Sequence, residues 1–209
     1  MIDGYKTVKD TGTGEYEEKK SRFIATLCHV ETEEAAICFI NDMKKKYWDA
    51  RHNCSAYIIG ADMTIQRCSD DGEPSRTAGV PMLDILKNYG LTDVVCVVTR
   101  YFGGVLLGTG GLVRAYQQAT IEGINGSTVL SRALLNKVRI STDYSGYGKL
   151  QYLLGQEGIE IISSDFAENV AVSFYCDDIQ YGAVSKKMTE ATSGKCEIEI
   201  ITKEYVTVL

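Results

Sequence analysis

The stretch "TRYFGGVLLGTGGLVRAY", Thr99–Tyr116, decides the fold of the first part of the chain. It continues from "DVVCVV" (93–98), a uniformly apolar run of the kind found in strands buried on both faces. Five glycines and two arginines then interrupt large apolar residues. The pattern predicts a buried strand, a tight turn, and a helix over about 112–124 with Leu112, Ala115, Tyr116 and Ala119 facing inward. Glycines at such a junction have two readings. They let backbone approach a phosphate at a helix N-terminus, or they let the helix pack close to the sheet. A nucleotide-hydrolase loop is excluded, because Thr109 stands where the required lysine would follow Gly103 and Gly108. A dinucleotide fingerprint is weak, because Val113 replaces its third glycine. What remains is an anion held by N–H groups of Gly110 and Gly111, with charge from Arg100 and Arg114.

Working outward, "SRFIATLCHV" (21–30) reads as a strand with Phe23, Ala25 and Leu27 on one face. A helix follows from a Thr32 N-cap, with Glu33 and Glu34 in its first turn and Lys44–Lys46 at its end. "CSAYIIG" (54–60) and "TIQRCS" (64–69) read as strands, and a further helix is expected from about Pro81 to Gly90. After "NGSTVLSRALL" the order becomes strand, helix, strand, strand, helix, strand. That is the split βαβ, ferredoxin-like pattern. The expected domains are therefore 1–135 and 136–209, in an α+β fold.

The chain has 209 residues and a net charge of −6, with 44% apolar residues, which fits a globular protein. The acidic balance does not suit a duplex-DNA binder, so any nucleic-acid contact must be a local basic patch. No apolar run is long enough for a membrane helix, and the N-terminus lacks a signal-peptide core. The seven cysteines form no CxxC pair and several lie in apolar runs, which points to a reducing cytoplasm without disulfides or a zinc site.

"SDDGEPSRTAG" holds the second candidate site. Asp70, Asp71 and Glu73 bring three carboxylates together, which hard cations favour. The bland reading is a turn whose aspartates bond their own backbone. Gly72 and Pro74 make the segment stiff, and such loops on rigid scaffolds carry function. His52 and Cys54 in "ARHNCSAY" share a strand face but sit too far apart for a thiol–base pair.

Taken together, "DDGEPSRTAGVPMLDIL", "VVTRYFGGVLLGTGGLVRAY" and "KKSRFIA…ARHNCSAYIIG" resemble the IMPACT/YigZ family over most of residues 15–125. The resemblance implies an N-terminal ribosomal-protein-type α+β domain, like domain IV of elongation factor G, and a ferredoxin-like C-terminal domain. It implies a protein facing RNA or the ribosome. Eukaryotic members restrain a translation-control kinase by competing for its ribosome-bound activator, and they carry an extra N-terminal module. Arg76 replaces the glycine usual in D-G-E-P-S-G-T-A-G, Val80 an often basic residue, and Ser55 the usual aromatic after H-N-C.

The expected function is a noncatalytic RNA- or ribosome-binding protein in the regulation of translation. Arg22, Arg51, Arg76, Arg100 and Arg114 would converge as a cationic patch. Gly103, Gly104, Gly110 and Gly111 would shape its floor, with the loop residues Asp70, Asp71, Gly72, Glu73, Pro74, Ser75 and Thr77. Tyr101 or Phe102 would stack on a base. No metal or cofactor is implied. The alternative is a small metal-assisted hydrolase using Asp70, Asp71 and Glu73 with His52 as base. A third reading is a protein partner docked on the C-terminal sheet.

Overall fold

The computed structural model describes residues 4–208, which divide into one compact unit of residues 5–132 with Val208 and another of residues 133–207 with Gly4. The chain runs through β1 (Gly4–Val8), β2 (Gly12–Glu18), β3 (Ser21–His29), α1 (Glu33–Lys46), β4 (His52–Ile59), β5 (Ile65–Ser69), α2 (Gly79–Asn88), β6 (Val94–Tyr101) and α3 (Gly108–Asn125). The strand β7 (Val129–Thr142) leads into α4 (Tyr144–Gln156), β8 (Ile161–Phe166), β9 (Val170–Cys176), α5 (Asp178–Thr192) and β10 (Glu197–Val208).

The first unit is built on an antiparallel sheet of order β2-β3-β6-β4-β5. β6 lies at its centre, and seven of its eight residues are buried, as the apolar run predicts. Its alternate residues serve two cores. Val95 and Val97 pack with Val30, Ala36, Tyr57 and Ile59 on the face that α1 covers. Val94, Cys96 and Val98 join Phe23, Leu27, Cys54, Met82 and Tyr116 on the face that α2 and α3 cover. Phe23 is fully buried and meets the Tyr116 ring edge-on, centroids 5.2 Å apart. Burying one such ring stabilises the fold by roughly 1.5–3 kcal/mol.

Two helices begin earlier than local sequence predicts. α2 starts at Gly79 rather than near Pro81, because its cap is remote: Asp70 Oδ1 accepts from Ala78 N at 3.0 Å and Gly79 N at 2.9 Å. α3 starts at Gly108 rather than 112. Glycine inside a helix costs about 1 kcal/mol relative to alanine, and in α3 close packing requires it at Gly123, where a Cβ would fall 2.8 Å from the Ala25 Cβ of β3. A Cβ at Gly14 of β2 would fall 2.1 Å from the Glu122 backbone, so α3 lies almost on that strand.

The second sheet has five strands, in the order β1-β7-β9-β8 with β10 also paired to β7; its strands β7 to β10 follow the βαββαβ order of a ferredoxin-like fold. Val138, Ile140, Val172 and Phe174 meet Leu150, Leu154, Val184 and Met188 from the helices. Both helices start on aspartates: Asp143 accepts from Gly146 N, and Asp177 forms a capping box with Gln180. The fold is thus α+β with two domains.

Candidate functional site

The cross-strand register builds the site. His52 lies opposite Arg100, and Arg100 lies opposite Phe23, so all three share the face turned toward α2 and α3. At that end of the sheet no helix covers the face completely. A cleft of about 470 Å³ opens there, between Gly72–Pro74, the chain after β6, and the start of α3. Arg51, His52, Phe102, Leu106 and Thr109 also line it.

Arg100 and Glu73 form its floor. Their side chains are only 8% and 3% exposed, and Arg100 Nη1 donates to Glu73 Oε1 at 2.7 Å. The same oxygen accepts from Tyr116 Oη at 2.8 Å, and Cys54 Sγ lies 3.3 Å from that hydroxyl. Cys54 Sγ also donates to the carbonyl of Asp70 at 3.0 Å. Burial pushes both the Cys54 thiol and the Tyr116 phenol well above their ordinary pKa, so Cys54 stays protonated and is no nucleophile. The guanidinium carbon of Arg100 stands 5.5 Å from the Phe23 ring centre and 5.7 Å from that of Phe102. Arg100 Nε is buried without an acceptor among the described residues.

The loop 70–77 has committed its carboxylates in three directions. Asp70 caps α2 and accepts from Arg76 N at 2.7 Å. Burial works to raise its pKa, but N–H groups of Arg76, Gly79 and Ala78 outweigh that and hold it below the usual carboxylate range. Asp71 accepts from Asn53 N and from Lys44 Nζ. Glu73 turns inward to Arg100. No group of three metal-ligating side chains occurs among the described residues. His52 Nδ1 donates to the Asp71 carbonyl at 2.9 Å, since that oxygen only accepts. Nothing in this arrangement supports the hydrolase alternative. Gly72 has φ +87° and rests against the His52 ring. Thr77 is buried and bonds to Pro74 O, while Ser75 is exposed. Arg76 itself has φ +64°, so the backbone adopts the left-handed conformation that suits glycine, and the arginine accepts the strain.

The five arginines do not converge. Arg22 lies on the face turned toward α1 and is bound to Glu15. Tyr101 shares that face, and its hydroxyl donates to Asp49. The aromatic residue at the cleft is its neighbour Phe102, the first residue after β6. Arg114 lies on the other side of α3, in a separate hollow with Tyr16, Glu18 and Ile85. Arg76 is exposed and does not line the cleft. Arg51 and Arg100 do, Arg100 as a neutralised cation.

The glycines divide as well. Gly103 is required by packing, since a Cβ there would fall 2.0 Å from the Lys20 carbonyl carbon. Gly104 takes a positive φ in the turn. Gly110 and Gly111 lie in the first turn of α3, which no side chain caps among the described residues. Leu106 and Leu107, overlooked in the sequence, complete one wall; their apolar character in a glycine-rich loop was the signal.

Comparison with known proteins places this architecture. The family model described as the Impact N-terminal domain matches residues 19–124. The chain belongs to the IMPACT family. A second model, a domain of unknown function (DUF1949), matches residues 140–195. The IMPACT family member YvyE of Bacillus subtilis is 46% identical over 95% of this chain and 92% of its own. YigZ of Escherichia coli, another family member, is 36% identical over 87% and 90%. The IMPACT homologue of Saccharomyces cerevisiae is 35% identical over 44% of this chain and 36% of its own, so the eukaryotic likeness covers a part of each protein. A crystal structure of a hypothetical protein superposes with a TM-score of 0.62 at 34% identity, covering 98% of this chain and all of that one.

Proposed function

We propose that this IMPACT-family chain is a noncatalytic RNA- or ribosome-binding protein that acts in the regulation of translation in the cytoplasm. The observation that carries the reading is the rim of the cleft. The exposed cation of Arg51 and the half-exposed Phe102 ring line one opening, beside the uncapped first turn of α3. A single strand needs these parts: a ring for a base, and positive charge with free N–H groups for a phosphate. The buried pair Arg100–Glu73 adds no net charge, and the chain as a whole is acidic. The site therefore grips few phosphates, and its affinity falls gently with salt.

The test is titration of labelled single-stranded RNA octamers, followed by fluorescence anisotropy, with ribosome co-sedimentation in parallel. The Arg51→Ala, Phe102→Ala double variant should bind at least about tenfold more weakly, since one stacked base alone is worth about 1–3 kcal/mol. Its melting temperature should hold, because both side chains stand at the rim. Unchanged RNA and ribosome binding by a folded double variant overturns the proposal.

A further inference from the structure

The turn between β2 and β3 carries the wrong residues for its geometry. Glu18 pairs with Ser21, so Lys19 and Lys20 alone make the turn, and both have positive φ, +48° and +67°. A two-residue hairpin turn with two positive φ angles favours Asn-Gly, because other side chains strain in the left-handed region. Both lysines are exposed, and neither is paired with a carboxylate among the described residues. The carboxylates of β2 are engaged elsewhere. Glu15 is held by Arg22, Glu17 lies opposite Arg22, and Glu18 accepts from the Tyr16 hydroxyl at 3.0 Å. Two unpaired cations at a strained tip, on an acidic chain, point to a ligand.

The register puts this tip beside the cleft. Arg22 pairs with Tyr101, and Gly103 N donates to Ser21 Oγ at 3.1 Å. A Cβ on Gly103 would meet the Lys20 carbonyl carbon, so the tip presses against the residue that follows Phe102. On the other flank His52 pairs with Arg100, which places Arg51 at the same end of the sheet. The ends of three neighbouring strands therefore carry, in order, the two lysines, the half-exposed Phe102 ring and the exposed Arg51. The outer two of three adjacent strands lie roughly 10 Å apart. A ring between two cations matches a base between two phosphates. The interior of a single strand offers that arrangement. A mononucleotide has phosphate on one side, and an acidic peptide carries charge without a base.

We propose that the hairpin tip is a second phosphate contact beside the cleft, so that the protein takes an internal nucleotide of a single strand. Its base stacks on Phe102, one flanking phosphate sits at Arg51, and the other sits at Lys19 and Lys20. The inference rests on the RNA-binding reading and gives the strand its course across the end of the sheet. Lys19→Asn with Lys20→Gly removes both charges and installs the pair this turn favours, so the melting temperature should hold or rise. Fluorescence anisotropy with a labelled oligouridine octamer should show about fivefold weaker binding at low salt, the scale of exposed ion contacts. The slope of log affinity against log salt should become shallower by about 0.7, one phosphate's share for a single strand. UMP, competing for the same site, should bind far more weakly than the octamer, and equally to both proteins. Should the variant melt low, Lys19→Gln with Lys20→Gln gives the same reading. Unchanged affinity and slope in a folded variant overturn the hairpin contact, and a loss still seen with Arg51→Ala, Phe102→Ala then leaves RNA binding standing. UMP binding as tightly as the octamer overturns the internal nucleotide. Polyglutamate displacing the octamer charge for charge overturns nucleic acid as the partner. No octamer binding by the unaltered protein overturns both readings.

Discussion

The two helices beside the cleft begin in opposite ways. At α2, the Asp70 carboxylate sits on the N–H groups of Ala78 and Gly79 and closes the helix end. At α3, Leu107 occupies the N-cap, and no side-chain cap bonds the helix start among the described residues. Both starts lie in glycine-containing motifs that the sequence marks as candidate sites, the first for a hard cation and the second for an anion. The difference is that one has an internal anion and the other does not. A helix end already holding a carboxylate has nothing left for a ligand. An open end beside an exposed arginine has.

The sharpest test concerns the pair that separates the two ends. Glu73→Leu leaves the Arg100 cation buried and unpaired, and urea unfolding should show a loss of about 3–5 kcal/mol. A loss below about 1 kcal/mol would mean that Arg100 escapes to solvent, and the closed floor would be wrong. Next comes Asp70→Ala, which opens α2 and should cost about 1–2 kcal/mol. Its sign with pH is fixed. The folded pKa of Asp70 lies below its ordinary value, so its contribution is full above that value and vanishes as pH falls through the folded one. Asp70→Ala should therefore flatten the acid limb of a stability–pH curve. Thr109→Asp closes the other end: it should raise stability by about 0.3–1 kcal/mol and weaken RNA binding by like-charge repulsion. Smallest is Arg76→Gly, where relief of a left-handed backbone, worth about 1–2 kcal/mol, is partly offset by glycine's greater unfolded freedom, leaving a net gain of about 0.5 kcal/mol. Thermal melting at constant pH measures it.

Most of the fold was legible. The uniformly apolar 93–98 announced a central strand, and the alternation in 21–30 announced which of its residues face the core. The order of elements after residue 136 announced the second sheet. Helix starts were not legible where the cap is remote, because Asp70 lies eight residues before Ala78 and no local spacing rule joins them. The site was half legible. The motifs named Arg51, Arg100, Gly72, Glu73 and Pro74, which do meet. They also named Arg22, Tyr101 and Arg114, which do not. Strand parity sends Tyr101 and Arg100 to opposite faces, and helix phase carries Arg114 to another side of α3. That Glu73 would neutralise Arg100 could not be read either, since the pairing spans 27 positions and depends on register.

The bonds that hold Cys54 have a practical outcome. Its sulfur is shut in beneath α2 and α3, while Cys38 and Cys68 lie open to solvent. Alkylating reagents should consume the outer pair within the first moments of exposure. Modification of Cys54 must then wait for that layer to lift, so its rate is an internal clock for how often the roof of the cleft comes away.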